Sequence, residues 1–97
     1  MTLTSKQKSY LKGLAHDIQP IIQVGKYGVN EKLVQTVIDA LEARELIKVS
    51  VLQNCLEEPK TVAEAIANEA RAEIVQVIGK VLVFYKESTK KKRIHLS

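Results

Sequence analysis

The chain has one cysteine, no tryptophan, two prolines and four glycines in 97 residues. Cys55 cannot form an internal disulfide and has no second thiol with which to share a metal, which fits a reducing compartment. No apolar run approaches the roughly 18 residues that a membrane-spanning helix needs. The first fifteen residues, MTLTSKQKSYLKGLA, are polar where a signal peptide requires its apolar segment, so a cytoplasmic protein is expected. Histidine is also scarce. His16 and His95 stand far apart in sequence, no Gly-x-Ser-x-Gly elbow is present, and Cys55 adjoins no base. His16-Asp17 places an acid beside a possible base, but adjacent residues rarely face each other, and a histidine at a helix end usually serves the cap or the dipole. Ligand spacing for a metal is missing too. The expectation is a chain with no catalytic residues, no metal and no cofactor.

What the chain does have is charge, unevenly placed. Residues 1–30 carry Lys6, Lys8, Lys12 and Lys26 against Asp17, a balance of +3. Residues 31–75 set five basic side chains against nine acids, a balance of −4, and from 76 onward six basic side chains face only Glu87, a balance of +5. If the two basic ends meet in space, the domain has a basic face suited to a polyanion.

Ninety-seven residues with 45% hydrophobic content suit a single domain with one small core. Thr4 followed by Gln7 is a capping-box pattern, and Leu11, Leu14 and Ala15 recur at helical spacing, which predicts a helix over 5–16. Pro20 to Val24 reads as a short buried strand. Asn30 is a good N-cap for a helix over 31–44, whose stripe is Leu33, Val34, Val37, Ile38 and Leu41. Residues 46–53 alternate as a strand with Ile47, Val49 and Val51 on one face. Thr61-Val62-Ala63-Glu64 is a second capping-box pattern, predicting a helix from there to about Arg71. Residues 73–85 read as a hairpin about Gly79-Lys80. The segment from 87 to 97 is polar and basic, a composition that permits mobility. The strand–helix–strand unit predicts parallel pairing of the first two strands. The expected fold is therefore an α/β domain with a four-stranded mixed sheet and three helices.

Between the first strand and second helix lies VGKYGVN, residues 24–30. Gly25-Lys26-Tyr27-Gly28 should be a tight turn with little side-chain bulk in its path. It lacks the Lys-Ser/Thr of a phosphate-binding P-loop and the third glycine of a dinucleotide fingerprint. A Gly-x-x-Gly loop running into a helix does let phosphates approach backbone N–H groups at the positive end of the helix dipole, as KH domains do, and Lys26 adds a mobile charge. Tyr27 is placed either to stack on a base or to cover the sheet edge.

The Lys6-to-His16 helix, the GKYG loop, the ELIKV strand at 45–49 and the VQVIGK hairpin arm at 75–80 together resemble the bacterial YhbY proteins, stand-alone versions of the CRM (chloroplast RNA splicing and ribosome maturation) domain. The resemblance covers nearly the whole chain. It implies a fold similar to the C-terminal domain of bacterial translation initiation factor three, and RNA as partner, associated with precursors of the large ribosomal subunit. It places Gly25, Lys26, Tyr27 and Gly28 in the RNA-contacting loop, with Tyr27 where many relatives have a small or polar residue. With the residues' own pattern, the expected interface is that loop together with Lys6, Lys8, Lys12 and Lys80, on a monomer. The alternative is an adaptor that docks an acidic ribosomal or regulatory protein on the same basic patch.

Overall fold

The computed structural model describes residues 3–96. Its elements in chain order are α1 (Ser5–Ala15), β1 (Pro20–Val24), α2 (Glu31–Arg44), β2 (Leu46–Val51), α3 (Pro59–Ala70), β3 (Glu73–Ile78) and β4 (Val81–Tyr85). The four strands form one mixed sheet in the order β1-β2-β4-β3. β1 and β2 are parallel and joined through α2, and β4 pairs antiparallel with both β2 and β3. The expected fold class, element order and parallel pair are all present.

The sheet is covered on both faces, and the strand sequences show why. Ile47, Val49 and Val51 of β2, with Leu82 and Phe84 of β4, pack beneath Val37 and Leu41 of α2 and Val62, Ala63, Ile66 and Ala70 of α3. The intervening residues Leu46, Val83 and Tyr85 turn to the other face, where Leu11 and Ala15 of α1 meet them. A strand buried on both sides loses the polar alternation of a half-exposed one, which is why LVFY runs apolar throughout. Leu14, expected to face inward with Leu11, is instead part of an open depression beside Ile18 and Ile21.

Local signals set most boundaries. Thr4 and Gln7 make the reciprocal capping box of α1, and the Asn30 side chain accepts from the Leu33 N–H at 2.9 Å to start α2. The start of α3 is a correction: the helix begins at Pro59 with Glu58 as N-cap, and the Thr61–Glu64 pattern lies inside it. Proline fits the first helical position because its fixed φ is helical and its missing N–H would have been unpaired there. β2 ends at Val51 rather than 53: the Leu52 N–H still reaches the Val24 carbonyl, but the Cys55 N–H donates to the Leu52 carbonyl at 3.0 Å and closes a turn over 52–55. Gly79 adopts φ +56 while Lys80 does not have positive φ, the pattern of a hairpin turn with glycine in the first central position.

The segment after β4 is held by two acids at the end of α2, Glu42 within the helix and Glu45 as its C-cap. Glu45, fully buried, accepts backbone N–H groups from Ser88 at 2.6 Å, from Arg93 and from Ile94 at 2.6 Å. Glu42 Oε1 accepts from the Ser88 and Thr89 hydroxyls and from the Thr89 and Lys90 N–H groups, between 2.7 and 3.0 Å. Ile94 and Leu96 then pack against the α1-side core. The composition of 87–97 permits mobility; in the structure, its described part carries these hydrogen bonds and apolar contacts, which the lysine run conceals. Ser97 lies outside the described residues.

Candidate nucleic acid interface

The end of β1 places the GKYG loop. Val24 is buried and pairs with Val51, so the chain leaves the sheet at Gly25 with its direction fixed. The Gly28 N–H donates back to the Gly25 carbonyl at 3.0 Å, closing a four-residue turn. Gly28 has φ +63, which other residues rarely adopt. A Cβ there would also stand 2.9 Å from Glu57 Oε1. Gly25 differs: its φ is not positive, and a Cβ would meet Asn54 and Leu52 at 3.6 and 3.8 Å, ordinary contact distances. The fold requires glycine at 28 and does not require it at 25.

The loop leaves backbone donors unused. The N–H groups of Lys26 and Tyr27 have no acceptor among the described residues, and the first turn of α2 leaves the N–H groups of Glu31 and Lys32 without intrahelical partners. Tyr27 is 81% exposed, with Lys26 Nζ 5.4 Å from its ring centroid. The ring therefore neither packs on Val29 nor covers the sheet edge. Below the loop, a groove of about 550 Å³ runs between edge strand β1 and α2. Ile21 and Gln23 line one side, Lys32 and Thr36 the other, and the GKYG loop closes the end; no carboxylate is in its lining. Glu57 is not in that lining, but its Oε1 stands 2.9 Å from the Cβ position of Gly28, so an acid adjoins the loop backbone. Lys32, Gln23 and Thr36 were not anticipated from sequence. Their signal was weak, a lysine in the first turn after the loop and polar residues on helix and strand faces.

The other expected residues are distributed over the domain. Lys80 lies at the same sheet end as the loop, its carbonyl accepting from the Val51 N–H at 2.7 Å where Val51 pairs with Val24. The α1 lysines begin at the opposite end. Leu3, just before α1, donates its N–H to Glu73, the first residue of β3, whose partner Tyr85 pairs in turn with the first residue of β2. Lys8 borders a depression there with Asn68 and Glu73, and Lys6 borders another with Tyr10 and His95. His16 is the C-cap of α1, its N–H directed to the Lys12 and Gly13 carbonyls. Among the described residues no group of His, Cys, Asp and Glu side chains could hold a metal, and no helix is long and apolar enough to cross a membrane.

Fold and loop together define a small α/β domain whose glycine turn presents backbone donors at the head of a helix. The chain belongs to the CRS1/YhbY (CRM) domain family, which matches residues 3–86. It is 54% identical over 94 residues to a Bacillus subtilis protein named "Probable RNA-binding protein YqeI", covering 97% of this chain and 98% of that one. A Haemophilus influenzae protein named "RNA-binding protein" is 41% identical, with 94% and 92% of the two chains covered. The solution structure of the Staphylococcus aureus hypothetical protein SAV1595, put forward as an RNA-binding protein, superposes with a TM-score of 0.82 at 51% identity, covering 99% of this chain and all of that one.

Proposed function

We propose that this protein is a cytoplasmic, monomeric RNA-binding domain without catalytic activity, and that its target is ribosomal RNA in precursors of the large subunit. The observation that carries RNA binding is the groove: an acid-free channel with Lys26 and Lys32 on its wall, closed by a turn whose free N–H groups stand at the head of α2. Phosphate oxygens suit those donors and the helix dipole. Gly25 adds to this, since the fold has room for a side chain there and a ligand approaching the backbone does not. The names of the B. subtilis and H. influenzae relatives support the same class of ligand, and the resemblance to the YhbY proteins supports the ribosomal target. Lys80 extends the basic surface at the loop end, and Lys6, Lys8 and Lys12 act at the far end as longer-range attraction for the backbone.

The test is a titration of single-stranded RNA against the wild type and Gly25→Ala, beside a thermal melt. A folded Gly25→Ala variant with weakened binding supports the loop as the phosphate site, and unchanged affinity removes it. Recovery of the bound partner from cells with and without ribonuclease separates RNA from an acidic protein, because only RNA-bridged capture is lost. Recovery of ribosomal RNA by crosslinking decides the target.

A further inference from the structure

At its other end, β1 opens onto a larger depression of about 720 Å³. The floor is apolar, made by Leu14 in the last turn of α1, Ile18 just after that helix, Ile21 of β1 and Leu46 of β2, and its walls include Arg44 and Arg93. No carboxylate lines it, and neither guanidinium has an acid within salt-bridge distance among the described residues. The adjacent acid, Glu45, is buried and already engaged by three backbone N–H groups.

Two independent parts of the chain meet here. Arg44 is the last residue of α2, whereas Arg93 comes from the C-terminal segment. The place of Arg93 is fixed through its backbone: its own N–H and that of Ile94 both donate to Glu45 Oε1, and the Ile94 side chain packs with the α1-side core. The fold thus positions this residue through a buried carboxylate while leaving its guanidinium without a partner. Two unpaired guanidiniums over an apolar floor match a ligand with negative charge and a flat, weakly polar surface, the two properties that a nucleotide joins. Ile21 lines both this depression and the GKYG groove, and the five residues of β1 span only about 17 Å.

We propose that the Arg44–Arg93 depression is a second contact site for the same single-stranded RNA, which runs from the GKYG loop along the outer edge of β1. A base rests on the Leu14–Ile18–Ile21 floor and its phosphate lies against the two guanidiniums. This rests on the reading of the GKYG groove as an RNA site.

The test uses oligouridylates of about 4 and about 12 nucleotides, lengths within the range of small single-strand sites. Arg44→Gln with Arg93→Gln should weaken the longer oligonucleotide about tenfold, lower its log–log salt slope by about 0.7 for each lost phosphate contact, and leave the shorter one unchanged. Lys90→Gln with Lys91→Gln removes the same charge from outside the depression and should change the longer one less than about threefold. Equal losses at both lengths, an equal loss in the lysine control, or no loss for the arginine pair overturns the second site. Lys26→Ala reports separately on the loop: it should weaken both lengths. If it weakens neither while the arginine pair still weakens the longer one, the loop reading fails and the arginine site stands. Thermal melts confirm that each variant is folded.

Discussion

Glu45 accepts the Ser88 N–H across 43 positions of sequence at 2.6 Å, and through this contact the end of α2 holds the segment that follows the last strand. The carboxylate is buried, and the Ser88 N–H that it accepts lies in a buried contact where water is a poor substitute. Glu45→Gln keeps one good acceptor and turns an NH₂ group toward donors. The expected loss of stability is about 2 kcal/mol, read in a denaturant melt, with hydrogen exchange rising at Ser88, Arg93 and Ile94. Unchanged protection at those amides would mean that apolar packing alone holds the segment.

Acid should weaken the same attachment. Hydrogen bonds from the Thr89 and Ser88 hydroxyls, and against a smaller effect of burial from the Thr89 and Lys90 N–H groups, bring the Glu42 carboxyl down from 4.5 to about 2. For Glu45, burial pushes the carboxyl up, but the N–H groups of Ser88, Arg93 and Ile94 and the charge of Lys92 outweigh it and hold the group below its usual range. Both groups bind protons more readily in the unfolded chain, so their contribution is full above the ordinary carboxylate range and is lost as pH falls toward the folded value. Thermal melts across that acid range should show a declining midpoint, and Glu42→Gln should flatten the decline. A variant that keeps the whole slope would assign it to other carboxylates.

The two glycines of the loop should respond differently. Gly28→Ala forces a side chain into φ +63 and against Glu57, with an expected cost of about 1–2 kcal/mol in stability. Gly25→Ala should leave the melting temperature within about 2 °C of wild type, since its Cβ meets only ordinary contacts. Equal destabilisation by both would show that Gly25 is required by the fold rather than by a ligand.

Tyr27 and Lys26 separate stacking from charge. With its ring exposed to solvent, Tyr27→Ala should change stability by less than about 0.5 kcal/mol. It should weaken single-stranded RNA by about 1–3 kcal/mol and duplex RNA little, because paired bases are not available to the ring. Lys26→Ala should weaken every sequence alike. Equal losses for Tyr27→Ala on strand and duplex would rule out stacking.

Glu57 is the repulsive element at the loop. Its carboxylate oxygen stands 2.9 Å from the Cβ position of Gly28, near where a phosphate would approach the backbone. Glu57→Gln should tighten RNA binding about two- to fivefold at low salt, and the gain should shrink as salt rises. A gain that is independent of salt would point to a change in loop shape instead of charge.

Much of the fold could be read from local pattern because each signal reports a local cause. Thr4 and Gln7 cap α1 with their own side chains, Asn30 starts α2, and the alternation of Ile47, Val49 and Val51 follows the pleat. The start of α3 was misread because two adjacent signals competed, and Pro59 prevailed over the Thr61 pattern. The loop was legible for the same reason as α1: its two glycines stand three positions apart and are joined by one local hydrogen bond. The groove was not, since Gln23, Lys32 and Thr36 become neighbours only when α2 packs beside β1. The attachment of residues 88–94 was still less visible, because its donors are backbone N–H groups, which every sequence contains, and its acceptors lie more than forty residues away.

Helix α2 begins just after the glycine turn and has Arg44 as its last residue, so its 14 residues act as a ruler about 21 Å long between the two ends of the β1 edge. A helix fixes angle as well as length. One inserted residue would advance the far end by about 1.5 Å but also swing it about 100° around the axis, carrying Arg44 and the Glu42 and Glu45 carboxylates away from their neighbours together. Chain length in α2 is thus far less free to change than the composition of its solvent face, and natural variation in this helix should appear as substitution rather than insertion.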